Sequence, residues 1–135
     1  MSAFRKVQTD ISDQKALITG LKKLGYNPQV GPNQTVRGDQ SYDNRAGYDI
    51  VLKKEHTKLR GDIGFRKAQD GTFEIGMDSY IIREFTPEQF VTKVRKPYTE
   101  AKIHNQMMNL DGSMELLSRQ TLANGKVRVQ YLQRA

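Results

Sequence analysis

The sequence predicts an α+β fold: a single domain spanning residues 1–135, with an antiparallel sheet packed by two main helices. Three observations predict it. Apolar and polar residues alternate in the middle of the chain, as in strands with one face in water. Two other segments repeat apolar residues at the spacing of one helix face. Two strand-like segments close the chain, and such a mixed order is typical of α+β domains.

The first elements are a short strand over residues 4–9 and a helix over residues 12–24. The helix is predicted because leucines recur at the spacing of one helix face: Leu17, Leu21 and Leu24. A chain of this length has enough residues to bury that face in one core.

Local signals mark both ends of this helix. Ser12 or Asp10 is suited to cap its first turn, and Gly25 is suited to the left-handed residue that ends it. Gly20 inside the helix costs about 1 kcal/mol relative to alanine, so we expect the helix to depend on tertiary packing.

The composition changes over residues 27–47, where proline, glycine and small polar residues dominate. Such residues favour turns and interrupt regular structure. The segment predicts a mobile loop around residues 31–47, or else a poorly ordered hairpin with a short extended piece over residues 35–37.

A three-stranded meander is predicted next. The alternation of apolar and polar residues extends over 48–52, 63–66 and 72–78. It places Tyr48, Ile50 and Leu52 on one buried face and leaves the other face wet. Asp70 and Gly71 between the second and third strands form a typical hairpin turn.

The second helix has the clearest start in the chain. Thr86 is predicted as the N-cap, with Pro87 in the first helical position and Gln89 completing a capping box. Phe85 and Phe90 flank the cap as a hydrophobic staple. One face continues through Val94, Tyr98 and Ala101.

Pro97 interrupts the second helix, and the chain ends in a hairpin. Proline lacks a backbone donor and crowds the preceding turn, so we expect the helix to be kinked or split near Pro97. Residues 114–122 and 126–132 are strand-like, and Asn124-Gly125 between them predicts the C-terminal hairpin.

Composition argues against several kinds of catalysis. The chain has no cysteine, which excludes disulfides, cysteine-ligated metals and a thiol nucleophile. Its two histidines, His56 and His104, have no partner at metal-ligand spacing, and we interpret them as solvated surface. We therefore expect no catalytic residues, no metal and no cofactor. Four aspartates are interpreted as turn residues rather than cation ligands: Asp39, Asp43, Asp49 and Asp62.

The charge is compatible with an anionic partner. The 22 Lys and Arg residues exceed the 15 Asp and Glu residues, for a net charge of +7. Several residues form a candidate site for an anion or partner if their side chains converge on the wet sheet face: Arg37, Arg45, Lys53, Arg66 and Tyr48. Apolar residues near the end of the second helix are a candidate partner surface, although core packing is the more common role of apolar residues at helical spacing: Met107, Met108 and Leu110.

Several short motifs follow one another along nearly the whole chain: MSAF at residues 1–4, LITGLKKLGY at 17–26, VRG at 36–38, YDIVL at 48–52, DIGF at 62–65, EQF at 88–90, DGS at 111–113 and VRVQYL at 127–132. In order and spacing they resemble the small protein of hypothetical chloroplast reading frame thirty-five, found in plastids and cyanobacteria, whose bacterial relatives form a domain of unknown function. Ala3 stands where that family usually has histidine, and Pro97 precedes the matched Tyr98.

The resemblance implies an α+β protein of the cytoplasm, or of the plastid stroma if plastid-encoded. No stretch is apolar enough to predict a membrane span. The resemblance implies no activity. We expect a non-enzymatic binding or adaptor protein in a larger protein assembly, with an AAA-type ATPase or a photosynthesis-related assembly as possible partners. The alternative is nucleic-acid (RNA) binding through a basic sheet or loop face.

Overall fold

The computed structural model describes residues 3–38, 44–108, 114–121 and 127–133, with side chains over the first two ranges. Its strands and helices are β1 (Phe4–Gln8), α1 (Gln14–Lys23), β2 (Gln29–Val36), β3 (Arg45–Leu52), β4 (Ile63–Lys67), β5 (Phe73–Asp78), α2 (Pro87–Met108), β6 (Met114–Thr121) and β7 (Val127–Gln133). The fold is α+β, as the sequence predicts.

The strands form two antiparallel sheets. Five strands make the larger sheet in the order β1-β5-β4-β3-β2, and β6 pairs with β7 in a separate two-stranded sheet. Backbone contacts divide the chain into two compact units: a sheet unit of residues 1–12 and 25–91, and a hairpin unit of residues 13–24 and 92–135. A single domain over residues 1–135 stays a prediction.

One face of the large sheet carries much of the core of the sheet unit. Cross-strand pairing aligns Ile50 with Phe65 and Phe65 with Ile75, and all three are fully buried. The ring of Phe65 lies 6.2 Å from that of Phe90, in the first turn of α2. Burial of such side chains contributes about 1.5–3 kcal/mol each and is the main force holding the unit together.

The opposite face, which we call the tyrosine face, is covered at its centre by Tyr48. Gly64 and Gly76 are cross-strand partners, and the Tyr48 ring lies where their side chains would be. Val36 and Val51 complete this cluster. The predictions that Tyr48 shares a face with Ile50, and that this second face is wholly wet, were therefore wrong.

The physical reason for the first error is irregular pairing beside Tyr48. Gln34 pairs with Tyr48, and the pairing of β2 with β3 shifts register on both sides of that pair. Between Gln34 and Val36 the shift puts an extra residue into β3, just before Tyr48, where Gly47 has a φ of 92°. The other shift puts extra residues into β2, where Asn33 has a φ of 55°, the left-handed conformation that asparagine tolerates. Strict alternation along a strand holds only where the ladder is regular.

The segment predicted as a mobile loop is largely a hairpin. Residues 31–36 belong to β2 and residues 45–47 to β3, and these strands pair antiparallel. Of the two alternatives, the structure has the hairpin over these residues, and the mobility of the segment over residues 31–47 stays a prediction. The Gln34 side chain helps to hold this segment in place, which the composition does not indicate. Its amide donates to the carbonyl oxygens of Gln29 at 2.8 Å and Gly31 at 3.0 Å. Residues 39–43 lie outside the described residues.

The start of α2 is as predicted. The Thr86 amide donates to Gln89 Oε1 at 2.9 Å, and the Gln89 amide donates to Thr86 Oγ1 at 3.1 Å, which confirms the capping box. The rings of Phe85 and Phe90 stack with centroids 5.0 Å apart, which confirms the staple. The helix then continues through Pro97 without a split.

In the hairpin unit, α1 begins later than predicted. Asp13 is its N-cap, since Asp13 Oδ1 accepts from the Ala16 amide at 3.0 Å, so the assignment of the cap to Ser12 or Asp10 was wrong. Gly25, at the boundary with the sheet unit, ends the helix with a φ of 93°, as predicted.

Gly20 allows α1 to approach α2 closely. A Cβ atom at Gly20 would lie 2.9 Å from the Tyr98 nitrogen and 3.2 Å from the Pro97 carbonyl carbon. The Tyr98 hydroxyl accepts from the Asp13 amide at 3.1 Å, which ties the first turn of α1 to the same helix. The intrinsic cost of glycine in α1 is thus offset by this close packing.

The predicted C-terminal hairpin is present as β6 paired with β7, and its turn around Asn124 lies outside the described residues. Within the described part of the chain, no helix combines the length and apolar character needed to span a membrane.

Candidate functional site

The candidate site is a groove in the sheet unit, which we call the basic groove. It has a volume of about 550 Å³. One wall comes from the loop between β3 and β4, and the other from the segment that joins β5 to α2. Its lining residues are Lys58, Arg60, Tyr80, Ile81, Arg83 and Glu84.

The first wall is held by the buried carboxylate of Asp62. Asp62 Oδ1 accepts from the Lys54 amide at 2.8 Å, which anchors the beginning of the loop close to its end. Within the loop, Thr57 Oγ1 accepts from the Leu59 amide at 3.1 Å. Lys58 between them has a φ of 67°, a left-handed conformation that costs a non-glycine residue about 1 kcal/mol.

The second wall is built on Asp78, which is fully buried at the end of β5. Asp78 Oδ1 accepts from the Tyr80 amide at 2.9 Å, and the Asp78 carbonyl oxygen accepts from the Ile82 amide at 3.0 Å. These bonds form the turn that presents Tyr80. Ile81 then packs directly on Gly61, whose missing side chain makes room for it.

Arg83 and Tyr80 form a pair inside the groove. Arg83 Nε donates to the Tyr80 carbonyl oxygen at 3.0 Å, and the guanidinium carbon lies 5.4 Å from the centre of the Tyr80 ring. Glu84 Oε1 accepts from the Arg83 amide at 3.0 Å. The pair is therefore held in place before any ligand arrives.

Positive charge in the groove is only partly balanced. Among the described residues, no carboxylate lies within 4.0 Å of the side-chain nitrogens of Lys58, Arg60 or Arg83. Tyr80 remains 43% exposed beside them. A groove with several cations and an exposed aromatic ring attracts anionic ligands and offers them a contact surface.

A second hollow of about 350 Å³ shares Arg83 with the basic groove, and we call it the adjoining hollow. Arg5, Ile82 and Phe85 also line it. Arg5 forms an ion pair with Glu88 in the first turn of α2. The two hollows thus meet at one arginine.

Arg37, predicted as part of an anion site, is already paired. Its Nε donates to Asp62 Oδ2 at 2.7 Å, and its Nη1 donates to Glu55 Oε1 at 2.6 Å. The hydrogen bond to Glu55 is the main cause, and the one to Asp62 the second, that raises the pKa of Arg37 above its ordinary value. Arg37 therefore stabilises the fold at this site and is not a cation available for a ligand.

The other predicted basic residues divide into two places. Arg45 and Arg66 lie on the tyrosine face, with Arg66 Nη2 bonded to Glu74 Oε1 at 2.6 Å and its guanidinium 5.4 Å from the Tyr48 ring. Burial raises the pKa of Tyr48, and the nearby Arg66 opposes that rise. Lys53 instead lines a separate hollow of about 460 Å³ with Arg37. The five residues do not form one patch.

The remaining candidates are surface residues or lie outside the described side chains. Met108 is 60% exposed in α2, Met107 is half-buried, and Leu110 is outside the described residues. His56 and His104 are both exposed. Among the described residues, no group of histidine and acidic side chains is arranged to hold a metal ion.

Sequence reasoning missed the basic groove because Arg83 lies far along the chain from Lys58 and Arg60. The sequence analysis looked for cations on the strands of the sheet, whereas Lys58, Arg60 and Arg83 lie in two loops and come together only through the turn after β5. A weak signal was present, since Tyr80 follows a strand that ends in aspartate, a residue that favours turns.

The fold and the groove define a small α+β protein with a groove that is lined by several cations and an exposed tyrosine. A protein-family model described as a protein of unknown function, DUF1257, matches residues 20–130. The chain belongs to that family. No curated protein and no solved structure matches it.

Proposed function

We propose that this chain is a non-enzymatic binding protein that acts as an adaptor in a larger protein assembly. It docks through the basic groove onto an acidic surface of its partner. The observation that carries the proposal is the arrangement of Lys58, Arg60 and Arg83 around the exposed Tyr80, with no described carboxylate paired to those cations.

The groove has the composition of a protein interface. Arginine and tyrosine are enriched at the energetically dominant positions of interfaces, because both combine a large contact area with specific polar bonds. Unpaired positive charge also speeds encounter with an acidic partner and disfavours basic ones. Preordering of Arg83 on Tyr80 lowers the entropy lost on binding.

A finer assignment accompanies this proposal. Within the family of unknown function, the motifs resemble the chloroplast reading frame thirty-five branch. We propose a cytoplasmic or stromal location, and an AAA-type ATPase or a photosynthesis-related assembly as the protein partner.

The test is purification of the tagged chain from its own host under mild conditions. The variant K58E/R60E reverses two groove cations, and K15E/K96E reverses two exposed lysines in the helices as a control of equal charge change. We expect the same partner with the native chain and with the control, and at least about tenfold less partner with the groove variant. Equal recovery of the partner with all three proteins would contradict the proposal.

Nucleic-acid (RNA) binding is the second candidate, since an exposed tyrosine beside cations is also typical of surfaces that stack bases and attract phosphates. Its test is a salt titration of binding to a mixed pool of RNA and DNA oligonucleotides. Affinity should be highest at low salt, and absence of binding there would eliminate this candidate.

A further inference from the structure

We infer that the basic groove and the adjoining hollow together bind an extended acidic segment of the partner protein, one in which apolar residues stand next to carboxylates. This inference rests on the proposed function and names the ligand chemistry of the same site.

The first argument is the shape of the surface. The hollows of about 550 and 350 Å³ share Arg83, so a ligand that fills one contacts a wall of the other. A single carboxylate or phosphate would occupy only a small part of either. The combined surface fits several consecutive residues of an extended chain.

The second argument is the combination of charged and apolar side chains in the lining. Lys58, Arg60 and Arg83 supply donors for carboxylates. Ile81 also lines the groove, and Phe85 lines the adjoining hollow. A segment that carries both carboxylates and apolar side chains satisfies both kinds of wall, whereas a purely acidic segment leaves the apolar wall in contact with charge.

The third argument favours a peptide over a nucleic acid. Arg83 already lies against the Tyr80 ring, which leaves less of that ring available to stack on a base. Glu84 also lines the groove, and its charge repels the carboxylates of a peptide as well as the phosphates of a nucleic acid. The same carboxylate can accept from the backbone amides of a peptide, which a nucleic acid does not have.

The experiment uses fluorescence anisotropy with the full chain and four labelled probes. Three are twelve-residue peptides: one that alternates Asp or Glu with Leu or Ile, one with serine in place of its apolar residues, and one with Asn or Gln in place of its acids. The fourth is a twelve-nucleotide single-stranded RNA. Each probe is also titrated with K58E/R60E and with the control K15E/K96E.

We expect the acidic–apolar peptide to bind at least about tenfold more tightly than the other three probes, a difference of about 1.4 kcal/mol. K58E/R60E should lose at least about tenfold in affinity for it, and K15E/K96E should stay within about twofold.

Three results would overturn the inference: equal binding of the serine-substituted peptide, tighter binding of the RNA, or unchanged binding by the groove variant. Absence of binding by every peptide would also overturn it. The proposed function would still stand in that last case if partner recovery from the host depended on Lys58 and Arg60, so the two failures are distinguishable.

Discussion

Asp62 shows at the scale of one residue how this chain holds a charge inside the sheet unit. Its side chain is completely buried, and its two oxygens accept four hydrogen bonds, three of them from Arg37 and one from the Lys54 amide. Burial of a carboxylate is costly unless hydrogen-bond donors such as these satisfy its oxygens. Loss of its main partner would leave that charge uncompensated.

We therefore predict that Arg37→Met lowers the free energy of unfolding by about 3 kcal/mol, because it strips the buried Asp62 of its guanidinium partner. Urea denaturation measures the change. The matched control is Arg5→Met, which breaks the half-exposed ion pair with Glu88 and should cost about 1 kcal/mol or less. A loss with Arg37→Met no larger than with Arg5→Met would show that Asp62 does not depend on this pair.

The second partner of Arg37 gives a pH dependence. The Arg37 hydrogen bond lowers the pKa of Glu55 from 4.5 to about 2. Because the pKa is lower in the folded state, the stabilisation is complete above pH 4.5 and is lost as the pH falls toward 2. The excess stability of the native chain over Glu55→Gln should shrink across this window in urea titrations at successive pH values. An excess that stays constant down to pH 2 would contradict this assignment.

At the scale of the element, a local signal predicted the start of α2, whereas alternation did not predict the face on which Tyr48 lies. The capping box of α2 involves Thr86 and Gln89, only three residues apart, so the sequence contains all of it. The position of Tyr48 depends instead on Gly64 and Gly76 in two other strands and on the register shifts between β2 and β3. No periodicity within β3 contains that information.

Pro97 illustrates the same difference. Its ring predicts an interruption, yet α2 continues through it. In the hairpin unit, Gly20 of α1 packs closely on the Pro97–Tyr98 backbone. The sequence shows both residues, but only the fold shows that they meet.

The close approach at Gly20 leads to an unusual prediction, because alanine should be worse than glycine at this helical position. Replacing a glycine inside a helix with alanine normally raises the free energy of unfolding by about 1 kcal/mol. At Gly20 the new methyl group would press against the backbone of Tyr98. We therefore expect Gly20→Ala to lower the free energy of unfolding by at least about 1 kcal/mol. Thermal and urea unfolding measure it. Gly31→Ala is the control, since its Cβ would meet no atom within 4 Å, and it should change stability by at most about 0.5 kcal/mol. Stabilisation by Gly20→Ala would disprove the close approach.

At the scale of the whole molecule, composition predicted an excess of positive charge but not its place. The net charge of +7 is a property of the sequence, whereas the pairing of each cation is a property of the fold. Arg37 and Arg66, both expected in the anion site, are bonded to carboxylates. Lys58 and Arg60, which the sequence did not single out, have no such partner among the described residues.

The central claim is that the partner docks at the basic groove rather than at the apolar end of α2. Each surface has an exposed side chain that can report contact with the partner. Tyr80 lies in the groove, and Met108 lies in the partner surface that the sequence predicted. A photo-crosslinking aromatic residue placed at either position reports which surface contacts the partner inside the native host.

The most direct measurement is thus the yield of crosslinked partner from the two positions, compared in the same host with equal amounts of each protein. We predict a crosslinked partner from position 80, its loss when K58E/R60E is added, and none from position 108. A crosslink from position 108 with none from position 80 would contradict docking at the groove.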